Sequence, residues 1–288
     1  MKYAYYPGCS AHSTARDMHE SCLAVAKALG IQLEEIKGWT CCGSSAAHQT
    51  DRTLAASLAA ANLVLAKEMG GDMVVNCAAC YNRSKSANYE VTHSPAMREK
   101  VAAALGQSYD GSVAVRHFAE VLAQDVGPAK LKKAVKKSLN GLKVACYYGC
   151  YLLRPPEVTG FDDPENPTLL ENLMAAAGGE SVDWPGKVDC CGGALILTRT
   201  DVAVARSAAI IEMAQSAGAD CIVTACPMCQ TSLDLRQQDM KKMIGKTYNM
   251  PALYITQLLG LSLGIPPKDL GCQRLMVTPE KVFQTLKV

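Results

Sequence analysis

The sequence predicts an α/β protein of two related halves, each with a small, mostly parallel sheet flanked by helices. Three observations predict it. Tyr5-Tyr6-Pro7-Gly8-Cys9, Cys41-Cys42-Gly43 and Cys77-Ala78-Ala79-Cys80 recur as Tyr147-Tyr148-Gly149-Cys150, Cys190-Cys191-Gly192 and Cys226-Pro227-Met228-Cys229. Strand-like runs alternate with helix-like runs in both halves, the pattern of parallel layers. Hydrophobic residues make up 49% of the 288-residue chain and charged residues 19%, a composition that builds a buried core.

The elements follow in order. Lys2–Tyr6 and Lys143–Tyr147 are short β-rich runs. Residues 15–29 and 168–177 read as helices, and 31–36 and 180–184 as strands. Thr50 and Thr200 stand where N-caps belong, each followed by an aspartate in the first turn of an alanine-rich helix. Residues 73–76 and Cys221–Thr224 read as short buried strands. Residues 115–122 resemble 252–259, so the repeat continues past the last motif. The apolar stretch 54–66 is alanine-rich and too short to span a bilayer, so a packed helix is expected. A boundary near Asn140-Gly141 divides the chain into halves 1–140 and 141–288. The basic run 130–137 before it reads as a solvated helix face, with docking of an acidic partner the sharper alternative.

The formal net charge is +2, which calls for neither nucleic acid nor an anionic membrane. The N-terminus lacks the charged region, apolar stretch and cleavage site of a signal peptide. A cytoplasmic location is therefore expected, and structural disulfides are rare there. In that compartment fourteen cysteines point to metal or redox chemistry.

In an α/β layout these cysteines fall at the C-terminal ends of strands, where such folds build their sites. Cys9 and Cys150 follow a strand and a tight glycine turn. Cys77 and Cys226 open helices, where the partial positive charge of the helix N-terminus favours a thiolate. The spacing repeats: 34 residues separate the vicinal pair from the CxxC in each half, and 31 and 39 separate the first cysteine from the pair. The extra eight fit a longer loop through Arg154-Pro155-Pro156 and Asp162-Asp163-Pro164. Each half offers five cysteines, whereas a structural zinc site takes four in compact loops. Iron–sulfur ligation is the favoured reading, with zinc in one half as its rival.

The repeated pattern of a cysteine, then CCG, then CxxC, resembles the CCG-domain family, whose type member is the catalytic B subunit of heterodisulfide reductase. The resemblance covers both halves and includes all ten motif cysteines. It implies two Rossmann-like domains related by a pseudo-twofold axis. It implies two non-cubane [4Fe-4S] clusters, one held by Cys9, Cys41, Cys42, Cys77 and Cys80, the other by Cys150, Cys190, Cys191, Cys226 and Cys229. The family chemistry is reductive cleavage, or the reverse formation, of a disulfide held between the clusters. The partners it implies are a flavin-bearing A subunit, together with a ferredoxin-like C subunit. In the methanogen members the first pair is followed by proline. Here it is Cys42-Gly43-Ser44-Ser45, a departure that sets the chain with the bacterial relatives.

Four cysteines lie outside the motifs. Cys22, mid-helix, and Cys221, in a strand, read as core residues. Cys146 lies four residues before Cys150, so a ligand role stays open, and Cys272 reads as incidental. His48 is the candidate proton donor to a leaving thiolate, with His12 beside it. The plainer reading of both is a loop histidine bonded to backbone. His19, His93 and His117 carry no local case. After the pair, Ser44-Ser45-Ala46-Ala47-His48-Gln49 is polar and Ala194-Leu195-Ile196-Leu197 is apolar. This predicts a polar wall at one cluster and a drier one at the other, unless the apolar run packs beneath the sheet. The rival function is a CCG-type electron-relay subunit of a lactate, glycolate, succinate or other quinone-linked system. A fused ferredoxin segment or a membrane helix would mark that class, and the sequence has neither.

Overall fold

The structure, a computed structural model, describes residues Met1–Val288. In chain order the first half contains β1 (Lys2–Tyr6), α1 (Arg16–Ala28), β2 (Gln32–Glu35), α2 (Ser44–Thr50), α3 (Arg52–Glu68), β3 (Met73–Val75), α4 (Ala78–His93), α5 (Pro95–Leu105), β4 (Val115–His117), α6 (Phe118–Glu120) and α7 (Gly127–Ala134). The second contains β5 (Lys143–Tyr147), α8 (Pro156–Thr159), α9 (Leu169–Ala176), β6 (Glu180–Ser181), α10 (Thr200–Ser216), β7 (Cys221–Thr224), α11 (Pro227–Gln230), α12 (Gln237–Ile244), β8 (Ala252–Tyr254), α13 (Ile255–Ser262) and α14 (Glu280–Leu286).

Each half builds one four-stranded parallel sheet, in the orders β2-β1-β3-β4 and β6-β5-β7-β8. The expected α/β fold with two repeated units is therefore present. The inner strands β3 and β7 are wholly buried and read Met-Val-Val and Cys-Ile-Val-Thr. The edge strands β2 and β6 carry the polar residues Gln-Leu-Glu-Glu and Glu-Ser. Covered faces demand apolar side chains, and an edge tolerates charge. In each sheet the strand order reverses between the first and third strands, and the crevice at that switch point is where α/β sheets bind ligands.

Some local expectations fail for identifiable reasons. Asp51, not Thr50, caps α3: its Oδ1 accepts from the Leu54 N–H at 2.7 Å. Thr50 instead closes α2, its hydroxyl donating to the Ala46 carbonyl at 2.9 Å. Thr200 is the first residue of α10, and its hydroxyl turns back to the Ile196 carbonyl. The predicted strand 180–184 keeps two regular residues, after which Val182 still donates to Val144 O at 3.0 Å. The residues after Cys42 form a helix rather than a loop.

One core of 86 buried residues runs through both halves, so they do not pack as separate beads. α1 lies against α13, and the Ser21 and Thr256 hydroxyls bond at 2.7 Å. The second half's longer loop packs on α4. There the Tyr81 hydroxyl donates to Thr159 O at 2.8 Å, and the Asn82 amide donates to Tyr151 O at 3.0 Å and to Arg154 O at 2.8 Å. Asn82→Ala leaves two carbonyls at this junction without their donor and is expected to cost about 2–3 kcal/mol. A denaturant midpoint unchanged from the parent protein would show that Asn82 does not tie the halves.

Candidate functional site

The motif cysteines gather at the C-terminal ends of the central strands. β1 delivers Cys9 through Gly8, whose φ is +74°. A Cβ at Gly8 would stand 2.8 Å from Cys80 Sγ, and one at Gly149 would stand 3.1 Å from Cys229 Sγ. Glycine therefore does at both places what no other residue does: it takes the left-handed turn and leaves the thiols room. β3 and β7 deliver Cys77 and Cys226 as the N-cap residues of α4 and α11. Pro227 occupies the first turn of α11, where a backbone N–H has no helical partner to lose.

The thiols stand in matched pairs. Cys9 and Cys41 sulfurs are 3.6 Å apart, and so are Cys42 and Cys80. In the second half Cys150 and Cys190 are 4.0 Å apart, and Cys191 and Cys229 are 3.6 Å apart. Backbone N–H groups point at the vicinal pairs: Gly43 to Cys41 Sγ and Gly192 to Cys190 Sγ, both at 3.4 Å, and Gly193 to Cys191 Sγ at 3.3 Å. Hydrogen bonding to Cys41 and Cys80 holds the Cys42 thiol well below its usual range, helped by the Arg83 guanidinium. Cys226 is held low by Cys229 and then by Cys77, while Cys77 is pushed up, chiefly by Cys226. The first cysteines of the two CxxC motifs therefore influence one another across the halves.

Two tyrosines that the motif reading did not weigh hold this frame. Tyr6 donates to Thr40 O at 2.8 Å and Tyr147 donates to Asp189 O at 2.6 Å. Each therefore grips the carbonyl just before a vicinal pair. Their shared position three residues ahead of Cys9 and Cys150 was the available signal. His117, given no role from sequence, is buried at the junction. Its Nε2 lies 3.2 Å from Ala225 O and its Nδ1 accepts from the Ala119 N–H, which assigns the proton to Nε2. Burial lowers its pKa to about 4, so it stays neutral. Tyr254 holds the matching place in the second half. His117 caps its helix in a reciprocal box with Glu120, and at the matching place Gln257 Oε1 accepts from the Tyr254 N–H at 2.9 Å.

The residues outside the motifs separate clearly. Cys22, Cys146 and Cys221 are fully buried, and burial pushes all three thiols up. Cys146 touches the Ser181 hydroxyl rather than any motif thiol. Cys272 is also buried, its thiol pushed up to about 12 by desolvation. His12 stacks on Trp39 and meets Glu35 Oε1 at 3.3 Å. His48 is exposed in the last turn of α2, beside Arg52 and Glu90. The apolar run after Cys191 does not pack beneath the sheet: Leu197 is 87% exposed.

No three of these side chains converge as the ligands of a single ion do. Paired soft donors, N–H groups aimed at sulfur and glycine-cleared space suit a centre of several irons better than one zinc. Gly8→Ala is expected to lose bound iron from the first half, because its Cβ meets Cys80 Sγ. Gly30→Ala, with the same sign of φ and no heavy atom within 4 Å of its Cβ, is expected to keep it. Iron and acid-labile sulfide analysis of the two variants decides, and equal contents would refute the steric account.

Comparison with known proteins agrees with this arrangement. Residues 3–83 and 144–234 each match the cysteine-rich domain named CCG. The chain is 36% identical over 282 residues to the membrane anchor subunit of 8-methylmenaquinol:fumarate reductase from Wolinella succinogenes, covering 98% of this chain and 99% of that one. It is 31% identical over 279 residues to the B subunit of ferredoxin:CoB-CoM heterodisulfide reductase from Methanosarcina mazei, covering 95% of this chain and 93% of that one. No helix here is long and apolar enough to cross a membrane. The crystal structure of a hypothetical protein from Helicobacter pylori superposes with a TM-score of 0.77 at 12% identity. It shares the fold over 96% of this chain, which spans 52% of that one. Such relatives mark a redox subunit of a multi-subunit oxidoreductase, with iron–sulfur centres as its cofactors. With two copies of the cysteine-rich domain and full-length likeness to the B subunit of heterodisulfide reductase, the chain belongs to the CCG family.

Proposed function

We propose that the chain is the catalytic subunit of a heterodisulfide reductase-like complex, cleaving or forming a disulfide at the seam between its two halves. Cys9, Cys41, Cys42, Cys77 and Cys80 would hold one non-cubane [4Fe-4S] cluster in domain 1–140. Cys150, Cys190, Cys191, Cys226 and Cys229 would hold the other in domain 141–288. The observation that carries this reading is the approach of the two five-thiol sets across the halves: buried His117 bonds the Ala225 carbonyl beside Cys226, and Ser44 Oγ reaches Met228 Sδ at 3.8 Å where half-exposed Ser45 and Tyr151 also lie. Clusters held there would supply the two electrons that cleavage of the sulfur–sulfur bond takes up. The chain's own residues bind the substrate, exclude bulk water on the buried side and leave the outer edges at Cys9 and Cys190 exposed. Protons come from solvent, since His48 sits beside Arg52 and Glu90 rather than among the seam residues. Thiol–disulfide exchange through Cys22 or Cys146 is disfavoured, since neither buried thiol meets a substrate or ionises readily. The ferredoxin-like C subunit, with the flavin-bearing A subunit, completes the electron supply.

A second reading has its own support: the Wolinella relative bears the name of a menaquinol:fumarate reductase subunit. In that reading the same centres relay electrons to or from a quinol-linked partner, and no disulfide binds. Anaerobic holoprotein reduced with a viologen dye distinguishes the two. Turnover of small disulfides, kept in a Cys22→Ala, Cys146→Ala double variant, is the expected result. Oxidation by a water-soluble naphthoquinone without any disulfide turnover would favour the relay. Cys41→Ser and Cys191→Ser are each expected to disturb only the electron paramagnetic resonance signal of their own half. Loss of both signals in either variant would contradict independent sites.

A further inference from the structure

The internal repeat supplies a control for the chain's own surface. Beyond the second vicinal pair, Leu195 is 37% exposed and Leu197 is 87% exposed, and beyond the second CxxC, Leu235 is 41% exposed. At the same distances past the first-half motifs stand Ala46, His48 and Ser86. The shared fold is therefore built without leucine at any of these places, and the second half gains little core from them. Leaving leucine in water forgoes the free energy of its burial. Exposed apolar groups that the fold does not need, gathered in one patch, mark an interface.

The leucines do belong to one patch. In the first half, His48 and Ser86 line the same small cleft. In the second, the Arg236 guanidinium, next to Leu235, donates at 3.5 Å to the carbonyl of Ile196, which stands between Leu195 and Leu197. This patch adjoins the second site: the Gly193 N–H points at Cys191 Sγ at 3.3 Å, and Cys190 is exposed. α12 follows Leu235 directly and carries Lys241 and Lys242, both exposed. Neither takes a carboxylate: Asp239 on the same helix pairs with Arg236 at 2.6 Å, and Glu212 pairs with Lys246 at 2.6 Å. An apolar centre with an uncompensated positive rim fits an apolar centre with an acidic rim. A second copy docked through the same patch about a twofold axis brings both copies' lysines to one rim, where they repel. The leucines come from separate irregular segments, not from the single long apolar face of a helix that lies in a membrane interface.

We infer that the face centred on Leu195, Leu197 and Leu235 is the docking surface for another protein subunit, one whose contact face is apolar at its centre and carboxylate-rich at its rim. The docked subunit stands beside the exposed edge of the second site at Cys190. The inference rests on the chain's working within a multi-subunit oxidoreductase, and it is independent of whether a disulfide or a quinol is turned over.

The test isolates the complex anaerobically, without detergent, from native cells that carry a tagged copy of the chain. Amide hydrogen exchange in the complex is compared with that of the chain alone, and protection gained over residues 193–199 and 231–236 is expected. Leu195→Ala, Leu197→His and Leu235→Ser together give the second half the first half's residues. That triple variant is expected to bind the other subunit about a hundredfold more weakly, so the tagged chain elutes alone with its iron content and melting temperature unchanged. Leu23→Ser and Leu54→Ser, at exposed leucines on α1 and α3, are expected to keep the complex. Lys241→Glu with Lys242→Glu is expected to weaken it by a smaller factor, a difference that shrinks as salt is raised. A complex retained by the triple variant overturns the inference. So does protection confined to other segments, a readout that needs no variant. Protection of the patch only in a homodimer, or its loss of binding to phosphatidylglycerol vesicles with no second polypeptide present, overturns the occupant. If the parent chain purifies alone, the multi-subunit reading falls and takes this inference with it. If a complex forms and survives the triple variant, only this surface falls.

Discussion

The rest of the molecule is arranged around one junction: buried His117 bonded to the Ala225 carbonyl, where two repeats of the same fold bring Cys77 and Cys226, each the N-cap of a helix, into one core. Two thiols buried in one core cannot both become thiolates without compensation. The partial positive charge at each helix N-terminus offsets some of that cost, and a bound cationic metal centre would offset far more. The halves therefore have a reason to be fused over one continuous core rather than joined by a free linker. Asn82, Tyr81, Ser21 and His117 all bond across the junction, and each fixes backbone or side chain close to a motif.

The repeat copies the frame and varies the lining. Tyr6 and Tyr147 hold equivalent carbonyls, and Gly8 and Gly149 clear equivalent space. Both are demands of thiol geometry, so they are met twice in the same way. Positions one layer out differ: His117 against Tyr254, Glu120 against Gln257, Arg83 against Ser232. A symmetric lining would treat the two ends of a substrate alike. A cation and two hydroxyls on one side, with exposed leucines on the other, make the two halves chemically unlike there.

The repeat, the sheet order's consequences and the cysteine frame were legible because they depend on short spacings and on strand composition. β3 and β7 announce themselves as short buried runs with a motif cysteine two residues beyond their ends. The caps were misread because Thr-Asp offers two adjacent capping residues, and only the local backbone decides. At residues 50 and 51 the extended conformation falls on Asp51. At residues 199 and 200 it falls on neither in the usual form, and Thr200 bonds backwards. The apolar run after Cys191 was ambiguous for another reason: hydrophobicity does not state which way a short irregular segment faces. Arg83 and His117 were illegible because their meaning comes from partners in the other half, Tyr151 and Ala225. No local pattern encodes a contact between residues so far apart in the chain.

The distribution of thiol environments completes the argument for chemistry at metal rather than at free sulfur. Fourteen cysteines would be a hazard if their reactivity were uniform. The four outside the motifs are dehydrated, and that raises their pKa values and removes them from exchange chemistry. Among the ten motif thiols, mutual hydrogen bonds split the set into proton-rich and proton-poor members. Such a set releases its remaining protons when a cation arrives and binds it with thiolates already placed. Burial keeps Cys42, Cys77, Cys80, Cys191, Cys226 and Cys229 from solvent, while Cys9 and Cys190 mark the exposed edges.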